Sequence, residues 1–187
     1  MAALRLLAIA VAFAPVPAAA RRVADWQPYM AEASQRFAVP VSWIAAVMRI
    51  ESGGQTTLGG RPIVSRAGAM GPMQVMPATW ASLRAALALG QDPFDPHDNI
   101  LAGAAYLRMM YDRFGYPGCF AAYNAGPARY AAYLAGRPLP AETVDYVAAV
   151  GSLRTGDAGV TGRVGSGGVV RAITPAAATV FAIPPRW

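Results

Sequence analysis

Glu51 stands where a carboxyl group could act as a general acid. The apolar residues Ile44, Val47 and Met48 precede it at helical spacing, and a Ser-Gly-Gly segment at 52–54 follows it. Apolar surroundings at a helix end disfavour the charged form of a carboxyl group, so its pKa rises. A carboxyl group that stays protonated near neutral pH can donate a proton to a leaving group. On this feature alone, a solvated helix-end glutamate is the simpler explanation.

Two further segments carry side chains that suit the binding of sugars. Residues 68–77 contain glycines, which permit close backbone approach, and Gln74, which offers both a donor and an acceptor. Residues 121–127 place Tyr123 beside Asn124. Taken singly, each segment is also compatible with an ordinary turn that has a buried tyrosine, and the methionines of the first with core packing.

Short helices that follow one another must position these groups. Apolar spacing and the placement of Pro, Gly and Asp predict helices over 29–37, 40–51, 77–89, 95–115, 119–123, 128–134 and 140–150. In the helix from 95, either Met110 or Tyr111 completes the apolar face. In the last helix, Val144, Val147 and Val150 are expected on one side. Residues 52–76 are expected to form a long loop with no β-hairpin.

Composition excludes several classes of protein. The 187 residues include sixteen Arg, no Lys and ten acidic residues, for a net charge of +6. One cysteine and one histidine rule out a disulfide framework and a site of several imidazoles, so no metal or cofactor is expected. The arginines are spread singly, which is not typical of a nucleic-acid-binding surface. Cys119 lies in an apolar stretch and is expected to be a small buried side chain.

The chain is expected to divide into three parts. Residues 1–20 resemble a secretory signal peptide, with Arg5 before an apolar run at 6–14 and a small-residue cleavage site at 18–20. The alternative is a buried helix or a short membrane anchor. Residues 21–150 form the folded domain, and residues 151–187 are a Gly/Val-rich flexible tail. Export would take the protein outside the cytoplasm, where a basic protein meets anionic polymers.

Taken together and in order, these segments resemble the soluble lytic transglycosylase family (transglycosylase SLT domain), a lysozyme-like family related to goose-type lysozyme. The family pattern Glu-Ser, Gly-Ala-x-Gly-x-Met-Gln-x-Met-Pro, Ala-Tyr-Asn-Ala-Gly and a late Tyr is matched by residues 51–52, 68–77, 122–126 and Tyr146. The resemblance covers about residues 26–150. It implies a mainly α, lysozyme-like single domain with a long active-site loop.

The resemblance also implies a reaction. Family members cleave the β-1,4 bond between N-acetylmuramic acid and N-acetylglucosamine in peptidoglycan without water, because the muramoyl C6 hydroxyl attacks its own anomeric carbon. Glu51 would be the acid and then the base, and Tyr146 would position it. Ser65 would lie near the N-acetyl group, and Met70 and Met73 would line the cleft. The implied substrate-binding residues are Ser52, Ser65, Met70, Met73, Gln74, Tyr123, Asn124 and Tyr146.

Two alternatives remain open beside this interpretation. A hydrolytic muramidase would need a second carboxylate to activate water. The aspartates at 92, 95 and 98 are explained by helix capping, without the spacing of a calcium loop, and His97 is expected to be a surface residue of the same region. A glycan-binding assembly protein with a vestigial site would be expected to show a lost Glu or broken motifs, and both are intact.

The resemblance also gives expectations about partners and location. The protein would bind peptidoglycan glycan strands. It would be located in the periplasm and would be a monomer. The small single domain is similar to members that open the wall locally for secretion or conjugation systems. Residues 55–62 depart from the pattern, since they lengthen the interval before the Gly-Ala motif and make the placement of Ser65 less direct.

Overall fold

A computed structural model describes residues 18–157, which are mostly helical. The helices in this range are α1 (Ala18–Asp25), α2 (Gln27–Phe37), α3 (Val41–Glu51), α4 (Pro77–Leu87), α5 (Pro96–Phe114), α6 (Gly118–Ala125), α7 (Pro127–Leu134) and α8 (Ala141–Asp157). The predicted mainly α fold is therefore confirmed. None of these helices combines the length and the apolar character that a bilayer-spanning helix needs.

Proline and aspartate set the starts of these helices. Prolines occupy the first turn of α2, α4, α5 and α7, and Pro40 directly precedes α3. The fixed φ of proline suits a first turn, where its missing N–H would have had no partner within the helix. Asp95 caps α5, because its side chain accepts a hydrogen bond from the Asp98 amide at 3.0 Å. The helix predicted to reach residue 89 ends earlier, at Leu87, because Ala88 adopts a left-handed conformation.

The helix α5 lies at the centre of the domain and packs against α2, α4 and α6. Its residues Ile100, Leu101 and Leu107 are fully buried. The helical spacing did not decide whether Met110 or Tyr111 completes the apolar face of α5. The structure buries Met110 and leaves Tyr111 41% exposed. On α6, Cys119 is buried as predicted.

The helix α8 packs against α3 and α6 with a face that matches the predicted one in part, since Val147 is partly buried against the core. Val150 is buried as expected, but Val144 is 53% exposed. The buried positions are instead Thr143, Tyr146 and Val150, which also follow helical spacing. The sequence prediction was wrong at Val144 because it counted only apolar residues, whereas two polar side chains of this face point inward and form hydrogen bonds.

The long segment between α3 and α4 contains a small hairpin that the sequence analysis did not predict. Strands β1 (Thr57–Leu58) and β2 (Arg61–Pro62) pair antiparallel, with Leu58 opposite Arg61. Gly59 and Gly60 form the turn, and both have positive φ, which glycine adopts without steric cost. All four strand residues are exposed. The insertion at 55–62 is therefore mostly a surface hairpin.

The predicted ends of the domain differ from the ends of the helices. The expected cleavage after Ala20 falls within α1, and α8 continues past Gly151 to Asp157. The composition change at Gly151 therefore does not end the helix. Residues 1–17 of the predicted signal peptide (1–20) and residues 158–187 of the predicted tail (151–187) lie outside the described part of the chain.

Gly103 provides a test of the packing between α5 and the loop before α4. A Cβ atom at this position would lie 2.5 Å from Cβ of Met73, which is fully buried. We expect Gly103→Ala to lower the free energy of unfolding by about 0.5–2 kcal/mol, because overpacking outweighs the helix preference of alanine. Urea denaturation measures this. Gly151→Ala is the matched control, since its Cβ meets no atom within 4 Å and alanine should stabilise α8. Equal stabilisation by both substitutions would contradict the packing argument.

Candidate active site

Glu51 is the last residue of α3, and the chain turns sharply behind it. Ser52 caps the helix, and Gly53 and Gly54 both have positive φ. A Cβ atom on Gly54 would lie 2.8 Å from the amide nitrogen of Val23, so only glycine lets this turn pack against α1. Trp26 donates its indole N–H to the Gly54 carbonyl at 2.8 Å. These contacts fix the end of α3 and therefore the position of Glu51.

The carboxyl group of Glu51 is partly buried and has one clear partner. The Tyr146 hydroxyl donates a hydrogen bond to Oε1 of Glu51 at 2.8 Å. The pKa of Glu51 is raised from 4.5 to about 7: burial raises it most, the Tyr146 hydrogen bond lowers it, and the negative charge of Glu142 raises it by a smaller amount. The group can therefore both give and accept a proton near neutral pH, as predicted for a general acid.

Ser52 has a structural position that differs from its expected role. The residue is buried, and its hydroxyl donates to the Pro72 carbonyl at 2.8 Å and accepts from the Gly54 amide at 3.0 Å. Its oxygen is thus used to join the end of α3 to the loop before α4. The structure gives Ser52 a positioning role and does not place it as a sugar contact.

Met73 is likewise a core residue and does not line a cleft. It is 0% exposed and packs against Gly103 of α5, so the expected sugar contact is wrong for Met73. The backbone of Met73 matters more than its side chain, because its carbonyl accepts a hydrogen bond from the Tyr123 hydroxyl at 2.8 Å. Met70 is half-buried and bridges Val64 and Val75 through backbone pairing.

Asn99 of α5 holds this loop, a role that the sequence analysis missed. Its side chain is fully buried, accepts from the Met73 amide at 2.8 Å, and donates to the carbonyls of Met70 (3.0 Å) and Pro93 (2.9 Å). A Cβ atom on Gly71 would lie 2.5 Å from Nδ2 of Asn99, which explains the glycine there. A buried asparagine within an apolar helix face was the available signal, since a buried amide needs partners.

A pocket of about 260 Å³ brings several of the expected site residues together. Gln74 forms one side with a φ of 49° and donates its amide to the Gly71 carbonyl at 2.8 Å. Tyr106 and Tyr123 also line the pocket, with ring centroids 5.2 Å apart. The sequence analysis did not identify Tyr106 as a site residue. The lining residues are Gln74, Val75, Met76, Thr79, Tyr106, Tyr123, Asn124, Ala125 and Gly126. We refer to this as the Tyr123 pocket.

The amide of Asn124 is oriented by a buried residue of α8. The Thr143 hydroxyl donates to Oδ1 of Asn124 at 2.8 Å, and Thr143 is 2% exposed. This bond fixes which end of the amide faces Thr143, so the N–H groups of Asn124 remain as donors for a ligand in the pocket. Thr143 was not identified as a site residue from the sequence, because a threonine one turn before Tyr146 resembles an ordinary helix residue.

Ser65 lies in a tight turn before the Gly-Ala motif and does not line the Tyr123 pocket. Its hydroxyl accepts from the Ala69 amide at 3.0 Å, and its backbone pairs with Ala69 and Gly68. The residue is half-buried. These bonds shape the turn, and one lone pair and the hydroxyl hydrogen remain for a further partner.

The acidic residues before α5 are used within that region. Asp92 accepts from the Phe94 amide and Asp98 from the Gly90 amide, both in the loop before α5, so the capping interpretation is confirmed for Asp95 alone. His97 is more than a surface residue. Its Nε2 lies 2.8 Å from Glu32 and its Nδ1 lies 3.0 Å from Asp98, so it joins α2 to α5, and these carboxylates raise its pKa.

The helical fold and one carboxyl group with a raised pKa, whose charge acts on Tyr123 in the wall of the pocket, define a class of protein suited to general-acid chemistry. Comparison with known proteins then identifies the family. Residues 28–140 match the Transglycosylase SLT domain, and the chain belongs to this family, as the motifs predicted.

Related proteins and structures support this assignment. The chain is 39% identical over 93 residues to a transglycosylase of Enterobacteria phage PRD1, covering 49% of this chain and 31% of the relative. It is 36% identical over 123 residues to the soluble lytic murein transglycosylase of Escherichia coli K12, covering 62% of this chain and 18% of the relative.

Two solved structures are similar. An inactive mutant of the lytic transglycosylase Slt from Pseudomonas aeruginosa has a TM-score of 0.60 at 29% identity, covering 68% of this chain and 23% of that one. The 70 kDa soluble lytic transglycosylase of E. coli has a TM-score of 0.60 at 30% identity, covering 69% and 23%. The chain thus spans less than a third of the length of these relatives.

Removal of the Tyr146 hydroxyl tests the electrostatics of the site without any substrate. The Tyr146 hydrogen bond stabilises the charged carboxylate of Glu51. We therefore expect Tyr146→Phe, which removes this bond, to raise the pKa of Glu51 above about 7. A carboxyl ¹³C NMR titration measures it. Tyr123→Phe is the matched control, since the Tyr123 hydroxyl bonds to the Met73 carbonyl and not to Glu51. An unchanged titration in Tyr146→Phe would contradict the assigned hydrogen bond.

Proposed function

We propose that this protein is a peptidoglycan lytic transglycosylase with Glu51 as its single catalytic acid. The observation that carries the proposal is the carboxyl group of Glu51, whose pKa is raised to about 7 by burial and whose Oε1 is held by Tyr146. Membership of the SLT domain family and the names of its relatives support peptidoglycan as the polymer. The muramoyl–glucosaminyl β-1,4 bond would be cleaved.

One carboxyl group suffices for this reaction because the substrate supplies the nucleophile. Protonated Glu51 donates its proton to the glycosidic oxygen as the bond from C1 to that oxygen breaks. The resulting carboxylate then takes the proton of the muramoyl C6 hydroxyl while the oxygen of that hydroxyl forms a bond to C1. The product is a 1,6-anhydromuramoyl end, no water is consumed, and Glu51 is protonated again.

The Tyr123 pocket would bind a sugar next to the acid. Gln74, Asn124 and the tyrosine rings provide the amides and apolar faces that sugars require. We place Gln74, Tyr106, Tyr123 and Asn124 at the substrate, and Ser65 and Met70 in the loop that forms the edge of the cleft. Tyr146 would act through Glu51, and no cofactor enters the reaction.

A hydrolytic muramidase is the second candidate, and one observation favours it. Glu142 at the start of α8 is exposed, and its charge acts on the pKa of Glu51, so a second carboxylate lies near the acid. In an inverting hydrolase such a group activates water. The aspartates are less suited, because Asp95 caps α5, Asp92 and Asp98 accept hydrogen bonds from loop amides, and Asp112 pairs with Arg108 at 2.8 Å.

The rest of the chain fits an exported enzyme. We propose that residues 1–20 direct export to the periplasm and that residues 21–150, extended by the end of α8, form a monomeric catalytic domain. The small size of this domain supports local opening of the wall for a secretion or conjugation system.

Product analysis of Glu51→Gln tests the reaction. We expect the wild-type protein to release fragments with 1,6-anhydromuramoyl ends, lighter by one water than hydrolysed ends, and Glu51→Gln to lower the rate at least about 100-fold, since general acid catalysis contributes about 10²–10⁴. Mass spectrometry of digested peptidoglycan distinguishes the ends. Glu142→Gln is the control and should retain anhydro products. Reducing ends that depend on both Glu51 and Glu142 would establish the muramidase instead.

The pH dependence of cleavage follows from the raised pKa. The first step needs protonated Glu51, so we expect the rate of cleavage to fall as the pH rises through about 7. In Tyr146→Phe this fall should move to higher pH, because the hydroxyl stabilises the carboxylate. Initial rates over an acidic to alkaline series measure both. A fall centred near 4.5 would mean that Glu51 is not desolvated in the working enzyme.

A further inference from the structure

A second pocket, of about 730 Å³, lies beside α7 and is not used by the proposed reaction. Its walls come from α7, through Arg129 and Ala132, and from the segment that leads into α8, through Arg137 and the residues 138–140. We call it the α7 pocket. It is larger and more open than the Tyr123 pocket, which suits a flexible ligand rather than one buried sugar ring.

The charge of the α7 pocket is unbalanced. Arg129 and Arg137 are both exposed, and within residues 18–157 neither guanidinium forms an ion pair or a side-chain hydrogen bond. Glu142 and Asp145 follow on α8, yet no ion pair joins them to these arginines. Two unpaired guanidinium groups in one concave surface are suited to carboxylates, which they bind in a bidentate manner.

The α7 pocket adjoins the Tyr123 pocket. Gly126 lines the Tyr123 pocket and Ala128 lines the α7 pocket, so their Cα atoms are at most about 7.6 Å apart. On the other side, Pro140 lines the α7 pocket and its carbonyl accepts from the amide of Thr143, which holds Asn124. A ligand in one pocket is therefore within reach of the other.

We infer that the α7 pocket binds the carboxylates of the stem peptide carried by the glycan strand in the Tyr123 pocket, and that Arg129 and Arg137 are the recognising groups. This inference rests on the proposed function, because the stem is attached to the muramoyl sugar. An extended peptide spans about 3.3–3.6 Å per residue, so two or three stem residues cover roughly 7–11 Å. That length is enough to extend from Gly126 in the wall of the Tyr123 pocket to Ala128 in the wall of the α7 pocket.

The test compares glycan strands with and without stem peptides. We expect the double variant Arg129→Gln, Arg137→Gln to lower kcat/KM on stem-bearing strands about 5–25-fold and to leave stem-free strands unchanged within about two-fold. About five-fold per arginine corresponds to roughly 1 kcal/mol for an exposed ion pair. The difference should shrink near 1 M salt, where the Debye length is about 3 Å.

Controls separate charge from geometry and folding. Arg36→Gln removes one exposed charge at the end of α2, which does not pack against α7, and should leave both substrates unchanged. Arg129→Lys, Arg137→Lys keeps the charge but loses the bidentate fork, so it should show an intermediate loss. Thermal unfolding confirms that the variants fold.

Three outcomes of these measurements would overturn the inference. Equal losses on both substrates would assign the arginines to the glycan, and no loss would leave the pocket without this role. Binding to anionic vesicles that is lost in the double variant while cleavage is unchanged would assign it to a membrane surface. If wild-type protein cleaves neither substrate, the proposed reaction fails. Calorimetry with Glu51→Gln then tests stem binding alone, by comparing a disaccharide with and without its stem.

Discussion

The desolvation of one carboxyl group is the constraint on which the site depends. The apolar spacing that makes α3 a core helix also places Glu51 where its charged form is poorly hydrated. The folded chain retains this proton up to about pH 7, whereas the unfolded chain releases it near 4.5. Folding stability therefore falls as the pH rises between these values, because the unfolded state binds fewer protons there. The hydroxyl of Tyr146 offsets part of this cost by stabilising the carboxylate. Burial of Glu51 thus lowers the folding stability near neutral pH but keeps the carboxyl group protonated and able to donate its proton.

Backbone contacts, more than side chains at the surface, shape the walls around this acid. Asn99 binds three backbone groups from inside the core, and Gly71 and Gly103 let the loop and α5 approach closely. The loop before α4 can therefore present Gln74 at a positive φ without being free to move, since its amide and carbonyl groups are paired. A site of this kind is preorganised, which is what a reaction with a single catalytic group needs most.

The helices were largely predictable from local pattern, whereas the acid was identified by the family motif. Apolar spacing, prolines and the Asp95 cap place α2 to α7 with errors of a few residues, and α8 extends seven residues beyond its predicted end. The local pattern around Glu51 left a solvated carboxyl group as the simpler explanation, and only the ordered motifs indicated the acid. What failed depended on tertiary contacts. Met73 and Ser52 belong to the family motif, but a motif does not show whether a side chain contacts substrate or backbone. Thr143 and Asn99 were missed for the same reason, as their partners are distant in the chain.

The start of α8 links the acid, the Tyr123 pocket and the α7 pocket through one rigid turn. Thr143 and Tyr146 lie one turn apart, and each holds a different site residue, while Pro140 forms a wall of the α7 pocket. A group bound at Pro140 contacts the element that orients both Asn124 and Glu51. If the start of α8 has only one arrangement, a group bound at the α7 pocket contributes the same binding energy in the ground state and in the transition state. That binding energy then lowers KM and leaves kcat unchanged. A change in kcat would instead require a second arrangement of α8, and the buried, hydrogen-bonded face of this helix opposes one.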